Sequence, residues 1–325
     1  MPKQELLVRN LKVSFSTSEK ELIAVRGISY QLNQGETLAL VGESGCGKTV
    51  SALSILRLIE EPPGKIISGE ILFDDKDLLK LTKKELQGHR GKDIAMVFQN
   101  PMTSMNPVLT IGEQIIETLL RHTPLSRKEA KEKSLKLLEQ VEISSPKEKL
   151  DQYPHQLSGG MRQRAMIAMA LACSPRILIA DEPTTALDVL IQAQILDLLK
   201  KIKKETQMSI LLITHDLGVV AEIAKRVMVM YAGEIVETGL VRDLFRSPLH
   251  PYTIGLMKSI PALKSTKKIN SKLNEIPGAV PSLSQIPSGC PFHPRCPSVE
   301  NRCKTEKPKL KQIADDYFVS CWLHE

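Results

Sequence analysis

At 325 residues the chain is long enough for one large domain with an appendage, or for two domains. With 42% hydrophobic and 25% charged residues it has the make-up of a packed globular protein, which argues against long disorder, and no apolar run approaches the ~20 residues of a membrane-spanning helix. The formal charge of +7 sits largely on lysines interleaved with glutamate, as in K-E-A-K-E-K over 128–133, so it reads as solvated helix faces and does not mark a nucleic-acid partner. The first residues, M-P-K-Q-E, lack the charged-then-apolar pattern of a secretion signal, and a cytoplasmic setting is expected.

Residues 6–15 alternate loosely as a strand, and a second strand is expected over 28–32, after a break at Gly27. Phe15 is the aromatic best placed to stack on a nucleotide base; a phenylalanine of the core is the equal alternative. The turn N-Q-G-E leads into the apolar run 37–41, a buried strand, and then into 42–49, G-E-S-G-C-G-K-T. Apolar residues at helical spacing follow over 50–59. Strand, glycine-rich turn and helix are the context a phosphate loop requires. In that reading Gly42, Ser44, Gly45 and Gly47 let successive N–H groups face a phosphate chain, Lys48 reaches the β- and γ-phosphates, and the Thr49 hydroxyl holds Mg²⁺. The chain is expected to bind a nucleoside triphosphate.

Further strands are expected over 68–75 and 93–99, the second ending on Gln99 before the breakers Pro101 and Pro107. From 111 to about 157 the pattern is helical, with a capping box at Ser126 and Glu129. A helical insertion thus separates two strand-forming stretches, with Gln99 at its hinge. At its far end Ser158-Gly159-Gly160 begins a strong helix over 161–172, a second anion-binding helix start that lacks a phosphate-loop lysine. Its economical explanation is that it completes the phosphate site of another chain, because an ordinary capped helix needs no second glycine. The run R-I-L-I-A-D-E-P over 176–183 is a buried strand ending in two carboxylates. Asp181 suits the magnesium shell, and Glu182 suits polarising an attacking water. The stripe Ile191, Ile195, Leu198 and Ile202 marks a long helix packed on the core. The strand 209–214 stops at His215, which is either a γ-phosphate contact or a structural histidine. A closing hairpin spans 226–237.

In order, these stretches resemble the nucleotide-binding subunit of ATP-binding-cassette (ABC) transporters over residues 5–245. Residues 42–49 match Walker A, Gln99 the Q-loop, 157–164 the signature, 177–182 Walker B, 186–188 with Asp188 the D-loop, and His215 the switch histidine. The resemblance implies an α/β fold: a P-loop NTPase core with an antiparallel β-subdomain and a helical subdomain over about 100–165. It implies that two subunits sandwich two ATPs between the Walker A of one and Ser158, Gly159 and Gly160 of the other. It also gives Glu182, His215 and Gln99 roles in hydrolysis, with Gln99 joining Thr49 at Mg²⁺. Met161 stands where many members carry Gln. Residues 99–107, 247–253 and 276–281 look like the oligopeptide/dipeptide branch, whose members are importers. The expected partners are a second, paralogous ATPase subunit, two transmembrane permeases and an extracytoplasmic peptide-binding protein, at the cytoplasmic face of the membrane and without nucleic acid. Nickel or another small solute is the rival cargo. A soluble ABC ATPase acting on DNA or ribosomes would show a long coiled-coil insertion or tandem cassettes, and a non-hydrolysing module should lack Glu182 or His215.

Residues 246–325 form the expected extension, irregular where Pro, Gly and Ser are dense over 274–289 and holding Cys290, Cys296, Cys303 and Cys321. Clustered thiols in the cytosol argue against disulfides and leave a tetrathiolate site for Zn²⁺ or an iron–sulfur cluster. The gaps lack the C-x₂-C knuckles usual for zinc, and the segment resembles peptide-importer subunits that carry a [4Fe–4S] cluster. A cluster is expected, with Zn²⁺ the alternative and free thiols the third reading; Cys46 and Cys173 are incidental.

Overall fold

A computed structural model of the chain describes residues 4–185, 187–259 and 275–324. Ala186 of the D-loop and Asn274 of the proline-rich stretch lie outside the described residues. In chain order the strands are β1 (Gln4–Ser16), β2 (Glu21–Asn33), β3 (Thr37–Val41), β4 (Gly64–Phe73), β5 (Lys76–Asp77), β6 (Ile94–Val97), β7 (Ile177–Asp181), β8 (Ser209–Thr214), β9 (Arg226–Tyr231), β10 (Glu234–Leu240), β11 (Lys311–Ala314) and β12 (Tyr317–Val319). The helices that matter most for the site are α1 (Lys48–Ile55), α2 (Ile111–His122), α3 (Arg127–Gln140), α4 (Gly159–Leu171), α5 (Val189–Thr206) and α6 (Pro251–Lys258). The described residues divide into two compact units. The first takes those of Met1–Leu6, Leu32–Thr37 and Leu72–Ile213; the second takes those of Leu7–Gln31, Leu38–Ile71 and Thr214–Glu325.

In the first unit β6, β7 and β8 run parallel, with Val97 opposite Ala180 and Asp181 opposite Ile213. Every residue of these strands is buried, which is why they read as unbroken apolar runs. Two helices of the insertion start with capping boxes. Thr110 and Glu113 form a capping box at α2, and Ser126 and Glu129 form the one expected at α3. Hydrogen bonds from Ser126 hold the Glu129 carboxyl below the usual carboxylate range. The helix expected from 161 begins two residues earlier, with Ser158 as its N-cap. Its second glycine has a reason inside the chain: a Cβ on Gly160 would stand 3.0 Å from Ile191 Cγ2 of α5. Gly160 thus packs closely against α5, whereas a Cβ on Gly159 would meet only Leu187 Cδ2 at 4.0 Å.

In the second unit β2, β1 and the first part of β4 form one sheet. Gly27, expected to end a strand, is carried inside β2 at φ 92°. The other sheet has the order β11-β12-β10-β9-β3, with β3 parallel to β9 and the β9–β10 hairpin closed as expected. Helix α1 is shorter than 50–59 suggested, because Arg57 in the left-handed region (φ 49°) ends it. The larger correction concerns the extension, which is not irregular throughout. Its β12 pairs antiparallel with β10, setting Val319 opposite Glu237, and α6 adds a further helix. Tyr252, Phe292 and Tyr317 are buried in the same apolar cluster as Val41, Val229 and Tyr231. The Glu237 carboxyl is fully buried and accepts from Leu249 N–H (2.7 Å), His250 N–H (3.1 Å) and Tyr317 O–H (2.6 Å). Burying a carboxyl at this depth is tolerable because both of its oxygens are hydrogen-bonded.

Candidate nucleotide-binding site

The phosphate loop lies in the second unit, between buried β3 and α1. Two of its glycines are fixed by close approach. A Cβ on Gly42 would fall 2.2 Å from Met230 O, and one on Gly47 (φ 104°) would fall 2.6 Å from Ala24 O. No other residue fits either place without moving backbone. Ser44, Gly45 and Thr49 are exposed, whereas Cys46 and Lys48 are buried. The Lys48 ammonium donates to Gly42 O (2.8 Å) and Glu43 O (3.0 Å), so the cation is held over its own loop by two carbonyls. Burial pushes the Cys46 thiol above its ordinary value, against the lowering effect of Lys48, so the loop gains no negative charge there. Glu43 donates its N–H to Tyr252 Oη (2.9 Å), and its carboxylate takes both prongs of Arg295 at 2.8 and 3.1 Å. His215 is exposed, and the adjacent Asp216 caps the following helix through Gly218 N–H at 2.7 Å. Phe15 is half-buried, and its ring edge lies 3.1 Å from where a Cβ on Gly64 would stand.

In the first unit Asp181 is almost fully buried at the end of β7, and Glu182 follows it with left-handed backbone (φ 47°). Gln99 Nε2 donates to Glu182 Oε2 at 2.9 Å, and Thr185 Oγ1 donates to the same oxygen at 2.8 Å. Two donors on one oxygen fix the plane of the carboxylate. Gln99 and Glu182 are thus brought together as the sequence suggested, whereas Thr185 was missed because nothing in its local pattern marks it. Ser158, Gly159, Gly160 and Asp188 line one cavity of about 470 Å³ with Arg164 and Gln194. Ser158 Oγ accepts from Met161 N–H (3.3 Å), and Asp188 Oδ1 accepts from Ile191 N–H (2.9 Å), so both caps start helices at the cavity wall. Buried Arg164 donates to Val141 O (2.7 Å) and Gln194 Oε1 (3.1 Å), which anchors α4 beneath it.

Cys290, Cys296, Cys303 and Cys321 are half-buried and free of disulfides. They are electrostatic neighbours. Burial pushes the Cys290 thiol up to about 11, and the other three add to the rise. Burial likewise raises Cys296 and Cys321. Cys290 N–H donates to Cys303 O at 2.9 Å. Among the described residues, however, no three His, Cys, Asp or Glu side chains form a group able to hold a metal ion. The expected tetrathiolate site is therefore not a formed feature of this structure, which has four neighbouring free cysteines instead.

Residues 25–185 match the family model described as ABC transporter, and residues 236–303 match that of the oligopeptide/dipeptide transporter C-terminal region. The dipeptide transport ATP-binding protein DppD of Bacillus subtilis (strain 168) is 52% identical over 98% of this chain and 95% of its own length. The oligopeptide transport ATP-binding protein AppD of the same organism is 50% identical over 98% and 97%. Among solved structures, a dimeric post-hydrolysis state of the ATP-binding cassette MJ0796 bound to ADP and Pi aligns with a TM-score of 0.66 at 29% identity, over 73% of this chain and 99% of that one. CbiO1 of Clostridium perfringens, part of the transporter complex cbiONQ, aligns at 0.63 and 27% identity, over 75% and 92%. Its motifs, its fold and its near full-length relatives agree, and the chain belongs to the ABC transporter family, in the oligopeptide/dipeptide transporter branch.

Proposed function

We propose that this chain is the ATP-hydrolysing subunit that powers import of di- and oligopeptides across the cytoplasmic membrane. The observation that carries the hydrolytic role is Glu182, oriented by Gln99 and Thr185 at the end of β7. A carboxylate held in this way can take a proton from water as the water attacks the γ-phosphorus, giving ADP and phosphate. Lys48 leaves its two loop carbonyls for the β- and γ-phosphates. The Thr49 hydroxyl and the buried Asp181 carboxyl are hard oxygen donors of the kind Mg²⁺ takes, directly or through water, with Gln99 beside Glu182 as a further oxygen ligand. His215 takes the γ-phosphate contact, and Phe15 takes the base. Ser158, Gly159, Gly160 and Asp188 receive the ATP of a second ATPase subunit.

Among the described residues no helix is long and apolar enough to cross a membrane. The reading places the chain peripherally on the cytoplasmic face, with a paralogous ATPase, two permeases and an extracytoplasmic peptide-binding protein. The names of the relatives support peptides as cargo. At the tail, the finer reading is that the four thiols hold a [4Fe–4S] cluster. Four neighbouring sulfur donors support it, and the thiols must converge and lose protons for it to form. One preparation tests both readings: affinity purification of the chain from detergent-solubilised membranes under anaerobic conditions. Two permeases and a second cassette should co-purify, with iron and labile sulfide in the chain. Recovery only in the soluble fraction with ribosomes or DNA-bound proteins overturns transport, and a colourless, iron-free protein removes the cluster.

A further inference from the structure

We infer that Arg295, from the C-terminal extension, is a positioning residue for the phosphate loop: it neutralises Glu43 and locks the loop in its phosphate-binding shape. The inference rests on the phosphate-loop reading of 42–49. Glu43 is the one acid within those eight residues. A carboxylate carried on a loop that must accept a polyphosphate repels its ligand unless a cation is held against it. Arg295 is that cation, and it is held firmly. Its side chain is only 5% exposed, Nε donates to Pro277 O at 3.0 Å, and the guanidinium lies over the rings of Tyr231 and Phe292 at 5.9 Å from each centroid. The two-pronged contact with Glu43 is the geometry a guanidinium makes and an ammonium does not.

Glu43 is also where three parts of the second unit meet. Its N–H goes to Tyr252 of α6, its carbonyl holds Lys48 Nζ, and its carboxylate pairs with Arg295. Donor, acceptor and side chain together fix the peptide planes on both sides of the residue, and with them the carbonyl on which Lys48 rests until it moves to the phosphates. The extension thereby reaches the nucleotide site by a direct contact across 252 positions of sequence.

The test is a double-mutant cycle in the full-length chain, with MgATP affinity and turnover measured separately. Arg295→Met should raise KM for MgATP about tenfold while kcat changes little, because an uncompensated, partly buried carboxylate then faces the phosphates. Arg295→Lys, which keeps charge but loses one prong, should fall between, and it carries the test if the methionine variant fails to fold. In a Glu43→Gln background the same Arg295→Met change should add nothing. An equal loss in both backgrounds makes Arg295 a mere anchor of the extension and overturns the inference, as does an unchanged KM in Arg295→Met or Arg295→Lys. Lys48→Ala serves as the control. If it binds MgATP as the unmutated chain does, the phosphate-loop reading itself fails; if it alone loses binding, only the positioning role fails.

Discussion

Glu182 receives two donors on one oxygen, a glutamine from the end of the β6 segment and a threonine three residues on. Glu182→Gln keeps the shape but cannot accept a proton from water, so ATP binding should persist while phosphate release falls by about 10²–10⁴-fold. Single-turnover phosphate release with retained-nucleotide analysis checks this, and turnover near the unmutated rate removes Glu182 as the base. Residues such as Lys48, Gln99 and Glu182 were legible in the sequence because each stands at the end of a strand or within a spaced glycine motif. Thr185 was not legible. It reaches the carboxylate from a turn in which Glu182 adopts φ 47°; Pro183 signals a turn there but not which side chain returns to Glu182. The packing role of Gly160 was hidden for a similar reason, since it depends on Ile191 in another helix.

Among the elements, the buried parallel strands and the Ser126 capping box could be read directly, because burial on both faces and reciprocal capping leave local marks. The docking of β12 on β10 could not. A strand of only 3 residues is too short to leave a period in the sequence, and the partners Tyr317 and Glu237 are 80 positions apart. Tyr317 Oη also donates toward Ser247 O at 3.2 Å, and burial raises its pKa, with the Glu237 hydrogen bond adding to the rise. Tyr317→Phe should therefore cost about 1.5–3 kcal/mol, the range for a lost bond to a charged group. The urea midpoint of the variant measures it, and an unchanged midpoint would show that β12 docks without this bond.

At the scale of the whole molecule, acid stability should depend on His250. It is fully buried and accepts from Tyr252 N–H at 3.1 Å; burial, aided by His324, lowers its pKa from 6.5 to about 3. Between those values the unfolded chain binds a proton that the folded chain excludes, so this contribution is complete above pH 6.5 and is lost as pH falls. From pH 7 to pH 5 the loss should be about 2 kcal/mol. Urea midpoints at the two pH values should show a smaller difference in His250→Asn, which can keep the cap without the titration; an equal difference would exclude His250. The contact of Glu43 with Arg295 has a consequence in time as well as in space. A ribosome adding about 5–20 residues per second reaches Arg295 roughly 13–50 s after Glu43. A nascent chain thus carries its complete glycine motif long before the cation that sets it exists, and a product cut short before position 295 keeps the motif without the clamp.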